Sequence, residues 1–250
     1  MKNGCIGVIA AMPEEIAPLV ARIRGVRKEK SAGFNIYRFE LSGTPVVLVE
    51  SGMGPKHAAK ATEALIALAA PGVIVNFGFG GGVLPGIEVG ELILAERVLL
   101  LEKGRLTEAP SPGRDLSLRL IEGLASNGIA VKRGTFITAA AIMNKKEVAG
   151  ILQGMSHPVL EMETAAVVAA AHQAGIPVVA VRGISDAADE ELGFSLEEFC
   201  DADFNLRIGR VLLCVAKRPW IIPQLLRLAA NTKRAGKMLA PCVELVLKNL

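Results

Sequence analysis

Residues 159–190 read VLEMETAAVVAAAHQAGIPVVAVRGISDAADE, and the rest of the chain is organised around them. Residues 159–162 form a short apolar strand, and Thr164 stands where it can cap a helix running to about residue 173. Gly175-Ile176-Pro177 breaks that helix, and the β-branched run 178–181 is typical of a buried parallel strand. The stretch reads as half of a βαβ unit. It carries Glu161, Glu163, Asp186 and Asp189, and it brings Glu163 and Asp186 to the same edge of a sheet. In open α/β sheets ligands bind at the carboxyl ends of strands, so the reading predicts a site as well as a fold.

The alternation of strand and helix extends in both directions. Residues 5–12 predict a buried strand, and Pro13 starts a helix from its first turn. Residues 34–41 and 45–50 predict a hairpin around Ser42-Gly43. Ser51-Gly-Met-Gly54-Pro55 opens a helix to about residue 69, and 73–79 is a buried strand ending in Gly80-Gly81-Gly82. Residues 91–101 form a long strand, after which the chain reads as loop through Gly113. Helices are expected at 116–125, 145–152 and 195–215, and a strand at 132–139. No repeat or low-complexity linker interrupts the pattern. The expected fold is α/β, one catalytic domain over residues 1–215, with a central, mixed, mostly parallel sheet flanked by helices. Residues 216–250 read as a basic amphipathic helical extension.

At 250 residues, 51% hydrophobic and 21% charged, the chain has ample material for one core. Cys5, Cys200, Cys214 and Cys242 form no C-x-x-C pair, which fits reduced thiols in a cytoplasmic protein. No signal peptide is expected, because the first residues run straight into a strand-like segment. Residues 64–87 carry no charge, yet Pro71-Gly72, Asn76 and the glycines at 78, 80, 81 and 82 divide them, which argues against a membrane span. The net charge of +3 is uneven: residues 216–250 hold seven basic residues and one acid, leaving 21 basic and 24 acidic residues upstream. Trp220, Ile221, Leu225 and Leu228 are expected on one face of this tail, which either docks on its own domain or touches a membrane surface.

Several kinds of chemistry lack their residues. Gly78-Phe-Gly80-Gly-Gly-Val83 misses the last glycine of a dinucleotide fingerprint, and there is no phosphate-binding G-x-x-x-x-G-K-[ST]. His57, His157 and His172 have no metal-ligand spacing, and one tyrosine with one tryptophan makes no stacking platform for nucleic acid. No cofactor, metal or nucleic-acid partner is therefore expected. What remains is a set of acids following separate strands: Glu14 and Glu15, then Glu161 and Glu163, then Asp186. A solvated charge or helix cap is the plainer reading of any one of them. Paired carboxylates suit cleavage of a glycosidic bond, one acid protonating the leaving group and another activating water or stabilising the sugar.

Five segments then carry a resemblance. Ile6-Gly-Val-Ile-Ala-Ala-Met-Pro-Glu-Glu15, Ser51-Gly-Met-Gly54, Asn76-Phe-Gly-Phe-Gly-Gly-Gly82, Glu161-Met-Glu163 and Arg182-Gly-Ile-Ser-Asp186 occur in the order seen in the nucleoside phosphorylase superfamily. Over residues 4–215 they look most like the methylthioadenosine/S-adenosylhomocysteine nucleosidases. The resemblance implies that Asp186 protonates or hydrogen-bonds N7 of a purine leaving group and that Ser185 orients it. It implies that Glu163 binds the ribose hydroxyls as an ionised acceptor, with Met162 beneath the sugar. Glu15 matches the acid that activates water, and Arg182 would hold the carboxylates, Glu161 among them, in place. Phe79, Gly80, Ile142 and Met143 would line the substrate pocket. The partner implied is a small-molecule purine nucleoside, and relatives of this kind are homo-oligomers.

Departures from that pattern matter. Phosphorolytic members hold phosphate with an arginine after the first strand and a serine in the glycine loop, where this chain has Pro13-Glu14-Glu15 and Phe79. Water is therefore the expected nucleophile. Residues 102–113 are short where the nucleosidases close the pocket for the 5′ group, and Ile142 and Met143 replace an aromatic that stacks on the base. The tail from Arg218 also resembles the C-terminus of the hopanoid-associated phosphorylases, a branch implicated in removing adenine from the lipid nucleoside adenosylhopane. The expected activity is hydrolysis of a 5′-substituted adenine nucleoside, with the lipid nucleoside favoured. Methylthioadenosine or S-adenosylhomocysteine hydrolysis, phosphorolysis, and a non-catalytic nucleoside-binding protein on the same fold stay open.

Overall fold

A computed structural model describes residues 4–141, 143–190, 199, 213–215 and 217–250. Among the described residues ten strands form one mixed sheet: β1 (Ile6–Ala10), β2 (Arg27–Ser31), β3 (Phe34–Leu41), β4 (Thr44–Glu50), β5 (Val73–Gly82), β6 (Leu92–Glu102), β7 (Arg105–Glu108), β8 (Lys132–Ala139), β9 (Val159–Glu161) and β10 (Val178–Asp186). The helices are α1 (Pro13–Val20), α2 (Pro55–Ala69), α3 (Arg114–Ser126), α4 (Lys145–Leu152), α5 (Thr164–Gln173) and, after a 3₁₀ turn at Pro219–Ile221, α6 (Ile222–Lys248). The helix expected over 195–215 lies almost wholly outside the described residues.

The sheet has an open wing, β2-β3-β4-β1, that leads into β5. From β5 the order runs through β10, β6, β8 and β9 and returns to β5, so these five strands close a ring. Pairing is parallel along β4-β1-β5-β10 and along β6-β8-β9, and antiparallel in the hairpins and where the ring closes. Strand β1 shows the two-residue period of a doubly covered strand. Ile6, Val8 and Ala10 enter one core with α1, α3 and α6, whereas Ile9 enters the other with α2 and α5.

Three two-residue turns shape the hairpins. Ser42-Gly43, Ala32-Gly33 and Lys103-Gly104 each have both φ angles positive, the geometry whose twist matches flanking antiparallel strands. The first closes the expected β3–β4 hairpin. The other two close hairpins that hydrophobic pattern does not announce: β2 reads RKEKS, with no apolar side chain, and β7 occupies part of the stretch expected to be loop.

The central stretch departs from its expected topology. Strand β9 runs antiparallel to β5 while β10 runs parallel to it, so β9-α5-β10 is not a parallel crossover unit. Thr164 is the first residue of α5, and Glu163 holds the cap position. Strand β5 also continues through the glycines instead of ending at them. A Cβ on Gly80 would lie 2.5 Å from Val159 Cγ1, and one on Gly82 2.7 Å from Ile87 Cγ2, so bare backbone is what lets these neighbours approach.

The second half of α6 is built into the first core. Leu239, Val243, Val246 and Leu247 are each at most 2% exposed, and each such burial stabilises the fold by roughly 1.5–3 kcal/mol. Gly183 on β10 admits the helix closely, since its Cβ would stand 3.2 Å from the Ala235 carbonyl. Ile221 is buried and Leu225 partly so, but Trp220 is 69% exposed instead of sharing their face. It belongs to the 3₁₀ turn, where the α-helical period does not apply. No helix among the described residues is long and apolar enough to cross a membrane.

Candidate functional site

The site grows from an interruption in strand pairing. On one side β5 pairs with β1 only as far as Asn76 and with β9 only from Gly81, so residues 77–80 have no strand beside them there. A buried amide without a partner is costly. Glu15, in the first turn of α1, fills the gap. Its Oε1 accepts from Phe79 N at 2.8 Å, and its Oε2 accepts from Ala11 N at 2.8 Å and Met12 N at 2.9 Å. Gly78 makes room for it, because a Cβ there would stand 2.5 Å from Oε1. Burial pushes the Glu15 carboxyl above its ordinary range, against the lowering pull of the Phe79 amide and Arg182.

Beside it lies a fully enclosed polar network. Arg182, on β10 and 1% exposed, donates from Nη2 to Glu161 Oε2 at 2.5 Å, to Asn76 Oδ1 at 2.9 Å and to Thr164 Oγ1 at 2.9 Å. Glu161 also accepts from the Thr138 hydroxyl, from Thr164 Oγ1 at 2.6 Å and from the amides of Glu163 and Thr164 at 3.1 and 2.9 Å. Burial works against this carboxylate, but Arg182 and the two hydroxyls outweigh it and hold Glu161 below the usual carboxylate range. Phe136 supplies a ring face 5.7 Å from the guanidinium carbon.

Glu163 is tied less tightly. Its Oε1 accepts from Gly54 N at 2.9 Å, and Oε2 stands 3.8 Å from Arg182 Nη2. Burial first, and the neighbouring Glu161 charge second, push its carboxyl up to about 8. Both effects raise the proton affinity of a carboxyl that sequence analysis expected to act as an ionised acceptor.

Asp186 ends β10 against Gly81 of β5. Ser185 Oγ donates to its Oδ1 at 2.7 Å, and Lys145, the first residue of α4, forms an ion pair with Oδ2. Lys145 Nζ also donates to the carbonyls of Asp186 at 3.0 Å and Ala187 at 2.7 Å, so its three N–H groups are all engaged. A Cβ on Gly81 would press on both partners, at 2.7 Å from Asp186 Oδ2 and 2.8 Å from Lys145 Cε.

The structure thus brings Glu15, Glu161, Glu163, Arg182, Ser185 and Asp186 to the second half of β5. Met162 is partly buried between the two glutamates in sequence, and the Gly80 carbonyl lies 3.4 Å from Ser185 Oγ. Met143 packs with Val83, Leu101, Ile137 and Val148, while Ile142 lies outside the described residues. Phe79 contributes its amide, and its ring goes the other way, toward Gly236 of α6 and the core around α1. Sequence reasoning passed over Lys145, Asn76, Thr138 and Gly54. An asparagine inside an otherwise apolar strand was the available signal for Asn76; a contact spanning 41 residues offers none for Lys145. Among the described residues no group of three or more His, Cys, Asp or Glu side chains converges as metal ligands would.

Comparison with known proteins follows this geometry. A family model described as "Phosphorylase superfamily" matches residues 5–216. The 5′-methylthioadenosine/S-adenosylhomocysteine nucleosidases of Actinobacillus succinogenes and Geobacillus kaustophilus are each 31% identical to the chain, over 208 and 209 residues. The matches cover 78% of this chain in both cases, and 90% and 89% of the relatives. Among solved structures, the nucleosidase of Neisseria meningitidis in complex with methylthio-immucillin-A has a TM-score of 0.74 at 23% identity, covering 98% of this chain and 99% of that one. The futalosine hydrolase of Helicobacter pylori has a TM-score of 0.76 at 18% identity, covering 99% of both. At these identities the structures share the fold.

Proposed function

The chain belongs to the phosphorylase superfamily, and from that membership and the site we propose a nucleosidase that hydrolyses the N-glycosidic bond of a 5′-substituted adenine nucleoside. One observation carries the reading: three buried carboxylates and a single guanidinium converge beside a fourth carboxylate, Asp186, along one strand. Such a site suits a sugar that becomes cationic and a base that leaves with a proton.

Asp186 delivers a proton to N7 of the purine as the C1′–N9 bond breaks. Lys145 stays anchored by the two carbonyls while Oδ2 carries that proton, and the ammonium stabilises the carboxylate left behind. Glu163 faces the ribose hydroxyls. Its carboxyl accepts from those hydroxyls, and negative charge there interacts more favourably as the sugar gains positive charge, so its contribution is larger in the transition state than in the ground state. The oxygen of a water bonds to C1′, and Glu15 takes the water's proton. The products are adenine and the free sugar; Glu15 then loses its proton to solvent and Asp186 regains one. A phosphate dianion in place of that water would meet the Glu15 carboxylate while the guanidinium of Arg182 is already paired with Glu161, a repulsive arrangement.

For the 5′ group, the named relatives act on methylthioadenosine and S-adenosylhomocysteine. A lipid nucleoside such as adenosylhopane is the second reading, favoured by the apolar side chains exposed at the start of α6. The test is adenine release from methylthioadenosine and from detergent-dispersed adenosylhopane, with and without phosphate. Release from at least one without phosphate is expected, and Asp186→Asn should lower it by about 10²–10⁴. Sugar 1-phosphate formation would replace hydrolysis by phosphorolysis, and tight binding without cleavage would make the chain a nucleoside-binding protein.

A further inference from the structure

The two halves of α6 meet different surroundings. Past residue 234 one face of the helix lies in the core, whereas in the first half, among the described residues, Ile221 and Leu225 pack on Phe199 and Cys214. Another side carries Ile222, Leu226, Lys233 and Lys237, spaced by four, seven and four residues and so on one helical stripe, all exposed, with Trp220 at its tip. Leu226 is 66% exposed and Trp220 69%, an unusual display for large apolar side chains. From Lys217 through Val243 there are six basic residues and no acid. Glu190, after β10, approaches Arg227 at 3.8 Å and accepts from Asn231 on the neighbouring side of the helix.

We propose that this face docks on the surface of an anionic lipid bilayer. Trp220, Ile222 and Leu226 enter the boundary between headgroups and acyl chains, and Lys233 and Lys237 reach the lipid phosphates from the same stripe. Charge selects an anionic partner. The apolar tip selects among anionic partners: a nucleic acid would engage the lysines and leave Trp220 and Leu226 in water. An interfacial helix with an apolar side ringed by basic residues satisfies both, lying about 5–10 Å deep. A long basic side chain beside it keeps its stem on apolar surface and its charge among the headgroups. These side chains also favour the lipid-nucleoside reading, but hydrolysis itself does not rest on them and would survive failure of the vesicle test.

Trp220 is the single tryptophan of the chain, so its emission reports the contact directly. The full-length protein is mixed with vesicles of phosphatidylcholine containing phosphatidylglycerol, or of phosphatidylcholine alone, and scored by co-sedimentation and emission. The proposal requires pelleting and a blue shift with the anionic vesicles only, both reversed by salt. Each neutralised lysine should weaken partitioning about fivefold, and the K233Q/K237Q pair about thirtyfold. L226S, at a position outside the core, should weaken pelleting while leaving the unfolding midpoint unchanged. Absence of pelleting at low salt overturns the proposal. So does pelleting without an emission shift that an oligonucleotide competes away, which would mark a general polyanion surface. Emission that is already blue-shifted without lipid and reddens on dilution would show a second copy covering Trp220 and would equally refute it.

Discussion

Replacing Glu163 by glutamine should make the protein more stable in mild alkali and flatten its response to pH. Glu163 is 8% exposed, and burial and the Glu161 charge raise its carboxyl from an ordinary 4.5 to about 8. The folded protein thus binds this proton more tightly than the unfolded chain does. Its contribution to stability is fully present below about pH 4.5 and is lost as pH rises through about 8. Between those values the difference is about 3.5 pH units, and at about 1.4 kcal/mol per unit the loss is on the order of 5 kcal/mol. Glu15, also raised by burial, acts in the same direction. Glu161 acts oppositely, but its window lies below the ordinary carboxylate range and does not overlap. Glutamine keeps an oxygen for the Gly54 amide, so the hydrogen bond at 2.9 Å need not be lost. Urea unfolding of the two proteins at pH 5, 7 and 9 checks this. The parent should lose stability from pH 5 to 9, and E163Q should lose several kcal/mol less and exceed the parent at pH 9. An E163Q protein that is less stable than the parent at pH 9 would refute the reasoning, because it would show Glu163 to be stabilising as an anion.

Three further perturbations have definite expected outcomes. Arg182→Met leaves Glu161 buried without its cation, which should cost about 3–5 kcal/mol; an unchanged urea midpoint would contradict this. Lys145→Met should lower kcat about 10²-fold, the cost of displacing a reacting group by roughly 1 Å, with a smaller change in KM. Partial rescue by Lys145→Arg would mark Lys145 as a positioning residue, whereas equal losses in both variants would not. Gly78→Ala pushes a methyl against Glu15 Oε1, 2.5 Å away, and should cost about 1–3 kcal/mol together with adenine release. Gly72→Ala enters open space and serves as the control, and a similar loss there would separate the effect from Glu15.

Much of the fold is legible where pattern is local. The Ser42-Gly43 turn, the strand at Lys132–Ala139 and the helix at Lys145–Leu152 lie where the residues place them, because turn chemistry and apolar period need no distant partner. What escaped depends on pairing. Strand β2 is a polar edge whose register comes wholly from β3. Strand β9 has three residues, too few to reveal a direction, and its antiparallel course is settled where the ring closes on Gly81 and Gly82. The acids of the site were visible as types and positions, since acids following apolar runs stand out. Their protonation was not, because the rise at Glu163 comes from enclosure and from Glu161, and enclosure is a property of the packed whole. Lys145 illustrates the same limit: nothing in Asn144-Lys145-Lys146 distinguishes the lysine that pairs with Asp186 from its neighbour.

The gap beside residues 77–80 gives Glu15 two masters. Its carboxylate stands in for a missing strand by taking the Phe79 amide, and the proposed hydrolysis assigns the same group to the activation of water. Selection for folding alone would therefore retain an acceptor at position 15, whatever the chemistry. Glutamine would not serve, because both oxygens already accept main-chain N–H groups and its amide nitrogen would set a donor against one of them.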